Sequence, residues 1–177
     1  MLIQLDVNLQ ECTPQFFISV CPYIKNPRTI DSIFNIARTA YLKSREDPEE
    51  YDKAFWDSQD IFDIIAQNRY TNEITMIRLS RIPEYLTRAS VAQYSRFSSV
   101  LDYLSGDEYL VVLCALLKNP LLERKIFNRL FNRTIHSKID YDIPENLDYI
   151  DRSDWIKELV NCKFATNSQK QQLESLL

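Results

Sequence analysis

The sequence predicts an all-α fold: a short, solenoid-like stack of helix pairs, with an irregular helical bundle as the alternative. Three observations carry that reading. Gly106 is the only glycine in 177 residues, whereas hairpin turns, bulges and phosphate-cradling loops lean on residues that accept positive φ. Hydrophobic residues make up 45% of the chain and aromatic residues 12%, enough for a real core and against intrinsic disorder. The apolar positions recur at helical spacing and break at Asn, Pro and Ser turns.

The clearest unit is Tyr109 to Phe131, YLVVLCALLKNPLLERKIFNRLF. An apolar run from Leu110 to Leu117 stops at Asn119-Pro120. Ile126, Phe127, Leu130 and Phe131 then resume the helical pattern. Weaker copies recur along the chain. Residues 1–14 form a lead-in in which Leu2, Ile3, Leu5 and Val7 make a short extended piece or a first turn. Thr13-Pro14 reads as an N-cap followed by proline at the first helical position, opening a helix with Phe16, Phe17, Val20, Cys21 and Ile24. Pro22 shortens or kinks it. Lys25-Asn26-Pro27 matches Lys118-Asn119-Pro120 and leads into a helix carrying Ile33, Phe34, Ile36, Ala37, Tyr41 and Leu42.

Arg45 to Asp52, with Pro48, is a charged loop. A helix from about 49 to 66 carries Phe55, Trp56, Ile61, Phe62, Ile64 and Ile65, and the turn at Asn68 leads to Ile74, Met76, Ile77 and Leu79. Pro83 restarts the chain. Tyr85, Leu86, Ala89, Val91 and Ala92 form one helix, and Val100, Leu101 and Leu104 the next. Ser105-Gly106-Asp107 is a stop followed by a cap. Residues 134–152 lack sustained periodicity and read as a long connection. Ser153 caps a helix with Trp155, Ile156, Leu159 and Val160, and the last helix carries Leu173, Leu176 and Leu177.

The turns at Asn26, Asn68, Gln93, Asn119 and Asn161 follow one another at steps of 42, 25, 26 and 42 residues. Self-similarity at this period marks a helical array, in which stacked pairs bury what one pair leaves exposed. The unit resembles the leucine-rich repeat variant, a relative of HEAT-like repeats. Its pattern is an acidic residue, a helix, Asn-Pro, a short gap and a second helix ending in Leu. Residues 107–131 carry it best and 25–37 next. Asn68 lacks the proline, Gln93 lacks both residues, and Cys162 follows Asn161 where proline is expected. The resemblance implies a curved stack of short helices and a binding surface. One domain is expected over 1–177, with units at about 14–42, 49–80, 83–105, 107–133 and 153–177.

Chemistry is sparse. Cys12, Cys21, Cys114 and Cys162 form no CxxC pair and read as small core residues in a reducing compartment. With a single histidine, His136, at the start of a loop, neither a metal site nor a cofactor is expected. Asp57, Asp60 and Asp63 share a helical face and read as solvated. GxxxxGK[ST], GxSxG and HExxH motifs are absent from the sequence. No apolar run reaches the roughly 20 residues of a membrane span, no signal peptide is recognised, and a cytoplasmic location is expected.

Charge is segregated. Residues 41–70 carry four Lys/Arg against eight Asp/Glu, residues 71–138 ten against six, and residues 139–160 two against seven. The net charge of −4 therefore conceals a basic middle. Lys125, Arg129 and Arg133 fall at i, i+4 and i+8, away from Ile126, Phe127 and Leu130. Arg78, Arg81, Arg88 and Arg96 lie in the preceding units among Tyr85, Tyr94, Phe97 and Tyr103. These seven cations are the candidate contact surface. One reading has them grip an acidic protein partner. A second has them track a nucleic-acid backbone with tyrosines stacking on bases, against which stands a pI near 5.1. A third pairs them with acids of the chain itself. The expected function is that of a non-catalytic binding protein, adaptor or inhibitor. Nucleic-acid binding is the alternative, and an enzyme without a recognisable motif a third class. Tyr41, Tyr51, Tyr70, Tyr141 and Tyr149, near helix ends or loops, are the expected exposed aromatics.

Overall fold

The computed structural model describes residues 8–46, 51–136, 139 and 150–177, with the side chains of 51–56 left aside. The expectations for Leu2, Ile3, Leu5, Val7, Pro48, Tyr51, Phe55, Trp56, Tyr141 and Tyr149, and for most of the connection 134–152, lie outside the described residues. The described residues are all-helical, with helices stacked on helices, and fall into two compact units, Met1–Leu79 and Ser80–Leu177.

In the first unit, α1 (Pro14–Val20) starts as its sequence dictates: Thr13 Oγ1 accepts from Phe16 N at 3.3 Å and Pro14 occupies the first turn. Pro22 then forces a short 3-10 turn, Cys21–Tyr23. Asn26 caps α2 (Pro27–Ser44). Its inner face is Ile30, Ile33, Phe34, Ala37, Tyr41 and Ser44, all buried. Tyr41 is therefore not an exposed aromatic. The helix continues a turn past it, which keeps residue 41 on the core face at 1% exposure and rotates Leu42 out to 43%. Against α2 and α1 packs α3 (Tyr51–Gln67), and α4 (Glu73–Leu79) follows.

In the second unit, α5 (Tyr85–Tyr94), α6 (Ser98–Leu104), α7 (Leu110–Leu117), α8 (Arg124–Ile135), α9 (Arg152–Asn161) and α10 (Asn167–Glu174) follow in order. The apolar α7 packs on both α5 and α9, as a helix hydrophobic all round must. Ile126, Phe127 and Leu130 of α8 are fully buried, each contributing about 1.5–3 kcal/mol. Trp155 of α9 is buried with its indole N–H donating to Thr134 Oγ1 at 3.0 Å, which joins α9 to α8.

Three local expectations are corrected. Asp151, not Ser153, caps α9, its Oδ1 accepting from Asp154 N at 2.7 Å. α10 ends at Glu174, so Leu177 lies beyond it and is exposed, while Thr166 and Gln169 form a capping box at its start. Gly106 does not hold a left-handed conformation, and an added Cβ would meet Tyr103 O at 3.4 Å, an ordinary contact. The stop of α6 is made by Ser105 N donating to Leu101 O and Tyr103 O. Asp107 accepts from Tyr109 N, but the N-cap of α7 is Tyr109 itself.

The five expected intervals each hold two helices: α1/α2, α3/α4, α5/α6, α7/α8 and α9/α10. Two buried asparagines link successive pairs inside the units. Asn68, after α3, donates from Nδ2 to Cys21 O (2.6 Å) and Ile24 O (3.0 Å) in the turn after α1, and its Oδ1 accepts from Tyr70 N at 2.8 Å. Asn119, after α7, donates to Ala92 O (2.8 Å) and Gln93 O (3.1 Å) in the last turn of α5 and to Ser95 O (2.9 Å) just after it, and accepts from Leu121 N at 2.8 Å. One side chain thus ties the end of a first helix to the end of the first helix before it. Asn26 and Asn161 are exposed and make no such link. At the fifth pair, Lys163 Nζ reaches Pro120 O instead, at 3.2 Å.

All four cysteines are free, with Cys21 and Cys114 buried and Cys12 and Cys162 partly exposed. Burial pushes the Cys21 and Cys114 thiols up to about 12 from an ordinary 9.0, and raises Cys162 less. A raised folded-state value stabilises the fold below pH 9, and that contribution is lost as pH rises toward 12. A thiol reagent at pH 8 should modify Cys12 first, Cys162 more slowly, and Cys21 and Cys114 only after denaturation. Mass spectrometry of the labelled native protein checks this. Rapid labelling of all four would contradict the burial.

Candidate functional site

Of the seven candidate cations, Arg78 belongs to the first unit and the other six to the second. Arg78 is held within its own unit: Nη1 lies 2.9 Å from Asp31 Oδ1, Nη2 donates to Asn35, and the guanidinium sits 4.4 Å from the Phe34 ring centroid.

Arg88 is a structural residue. Its side chain is 12% exposed and that of Asp107 7%. The pair is bidentate, Nε to Oδ2 at 2.7 Å and Nη2 to Oδ1 at 3.2 Å. Nη1 also donates to the carbonyls of Ile82 and Pro83, and the guanidinium lies 5.1 Å from the Tyr109 ring centroid. Burial alone disfavours its charge, but the hydrogen bonds and charge of Asp107 outweigh that and raise its pKa above the ordinary arginine value. Arg81 is exposed beside Tyr103, and Arg96 is exposed 5.2 Å from the Phe97 ring centroid. Arg81 and Arg88 share an open cleft of about 600 Å³ with Tyr103, Asp107 and Tyr109.

Lys125, Arg129 and Arg133 do share a face of α8. Arg129 Nη1 donates to Asp102 O (3.0 Å) and Ser105 Oγ (2.7 Å), and Nη2 lies 3.0 Å from the Asp102 carboxylate. Arg133 donates to Ser105 O (2.5 Å) and Asp107 O (2.9 Å). Both guanidiniums thus cap the carbonyl end of α6, where its dipole is negative. Lys125 pairs with Glu123 at 3.2 Å and keeps 60% of its side chain exposed. The Ser98 hydroxyl, then Lys125, hold the Glu123 carboxyl below its ordinary range.

Half of this face is uncharged and stands outside the seven candidate cations. Asn128, Asn132 and His136 fall at i+3, i+7 and i+11 from Lys125 and line the same shallow groove of about 390 Å³ with the three cations. Helical spacing alone placed them there, but a search for charge passes over asparagine. The partners Asp102 and Asp107 had no local signal. Lys118 pairs with Glu158 at 3.1 Å, a link between the basic middle and the acidic segment that follows it.

Among the described residues no three His, Cys, Asp or Glu side chains converge to hold a metal ion, and no helix is long and apolar enough to cross a membrane. Comparison with protein-family models, with curated proteins and with solved structures returns no match.

Proposed function

We propose that this chain is a non-catalytic binding protein, an adaptor or inhibitor, that engages an acidic surface of a protein partner through the outer face of α8. The observation that supports this most is the composition of that face. Lys125, Arg129 and Arg133 stand one turn, about 6 Å, apart, with Asn128, Asn132 and His136 between them and no carboxylate among the groove's lining residues. Arg129 and Arg133 are already held by α6. Less side-chain freedom is then lost on association, which otherwise costs about 0.5–1.5 kcal/mol for each immobilised side chain. The Asn68 and Asn119 links favour taking the chain as a helical-repeat protein, in which stacked pairs present such a face.

A row of cations also suits a phosphate backbone. The net charge of −4 and a pI near 5.1 favour a protein partner. Titrating a labelled single-stranded oligonucleotide at several salt concentrations separates the two. The protein reading expects no salt-dependent binding. Binding that falls steeply with salt, and whose slope flattens in Lys125→Glu, would transfer the face to nucleic acid.

A further inference from the structure

A second surface lies in the first unit. Pro22, Tyr23, Lys25, Gln67, Arg69 and Tyr70 line a groove of about 670 Å³. Its two walls are the turn after α1 and the turn after α3, and the buried Asn68 side chain holds both: the carbonyls of Cys21 and Ile24 on one side, Tyr70 N on the other. The groove is therefore preformed. Tyr23 stands at its edge with 74% of its surface exposed, the largest fraction among the exposed large hydrophobic residues described. The Arg69 guanidinium donates to Tyr70 OH at 2.6 Å and sits 4.8 Å from that ring's centroid, fixing the ring. Lys25 and Arg69 line the groove, and no carboxylate does.

We propose that this groove binds an extended, proline-containing peptide with carboxylates beside its prolines. The aromatic faces and Pro22 suit pyrrolidine rings. A polyproline segment has no internal hydrogen bonds and is ordered before it binds, so it loses little entropy in a shallow, rigid groove. Lys25 and Arg69 supply the charge complementary to the flanking carboxylates. An exposed tyrosine on a fixed turn is the anchor such an interface needs.

The probe is a fluorescein-labelled peptide of six prolines followed by two glutamates, titrated with the full chain and read by anisotropy. Saturable binding with Kd on the order of 100 μM is expected. Tyr23→Ala, at an exposed position, should weaken it about tenfold and leave thermal unfolding unchanged. Replacing the two glutamates by lysines should weaken it by a similar factor, and Lys125→Glu should leave it alone, which keeps this test separate from that of α8. Absence of binding up to about 1 mM, equal binding by Tyr23→Ala, or equal binding of the lysine peptide would overturn the proposal. So would self-association of the chain that Tyr23→Ala abolishes, which would assign the groove to a second copy.

Discussion

Replacing Asn119 by alanine should lower the unfolding free energy by about 4 kcal/mol, a large part of the 5–15 kcal/mol typical of a domain. The side chain is 2% exposed. Its loss strips the buried carbonyls of Ala92 and Ser95 of their partner, at about 1–3 kcal/mol for each buried group left unsatisfied, and removes two part-buried bonds, to Gln93 O and from Leu121 N, that water replaces more cheaply. The informative control is Asn26, which sits in the same Lys-Asn-Pro triplet. There the side chain is an exposed N-cap for Arg28 N, so Asn26→Ala should cost only about 1 kcal/mol. Asn161→Ala, at an exposed helix end, should stay within about 0.5 kcal/mol. Urea unfolding of the three variants measures the contrast. Equal costs at 26 and 119 would mean that the inter-pair link contributes nothing beyond capping.

Asp107→Ala should destabilise the protein by about 3–5 kcal/mol, because it leaves the Arg88 charge buried without its counter-charge. The same substitution removes the acceptor for Tyr109 N at the head of α7. The double variant Arg88→Met, Asp107→Leu should recover much of the loss, since an apolar pair replaces an ion pair without an orphaned charge. The Arg88 contribution has a definite sign with pH. A folded-state value raised above that of a free arginine means that its stabilisation is present below the unfolded value and is lost only as pH rises through the folded value. The Arg88 side of the deficit should therefore be flat between pH 6 and 9. A deficit no larger in the single than in the double variant would show that the pair is not coupled.

The two variants mark the limit of what the sequence could carry. Thr13-Pro14, the apolar face of α8 and the wholly apolar α7 were legible because a cap, a 3.6-residue period and an all-round apolar surface are local properties. That a helix occurs in each of these stretches was legible for the same reason. The role of the asparagines was not. Lys-Asn-Pro occurs twice with opposite consequences: Pro27 opens α2 directly, while Pro120 lies in a turn four residues before α8. Only Asn119 has a preceding pair in its own unit to hold; Asn26 belongs to the first pair. The cation stripe was half legible. Spacing put Lys125, Arg129 and Arg133 on one face. That Arg129 and Arg133 also grip α6, and that Arg88 is committed to Asp107, depends on contacts 19 to 28 residues apart in the chain. Tyr41 shows the same limit in reverse, since a tyrosine near an expected helix end turned inward when the helix ran on.

The proposal for α8 is tested most directly by affinity capture from the source cell's lysate, with and without nuclease and at low and high salt, read by mass spectrometry. The wild-type chain is compared with a Lys125→Glu, Asn132→Asp variant. Both positions are exposed, so the variant should unfold like the wild type while cancelling the net positive charge of the groove. One dominant protein partner is expected, surviving nuclease and depleted about tenfold or more on the variant. A partner retained equally by the variant, or recovery that disappears with nuclease, would contradict it.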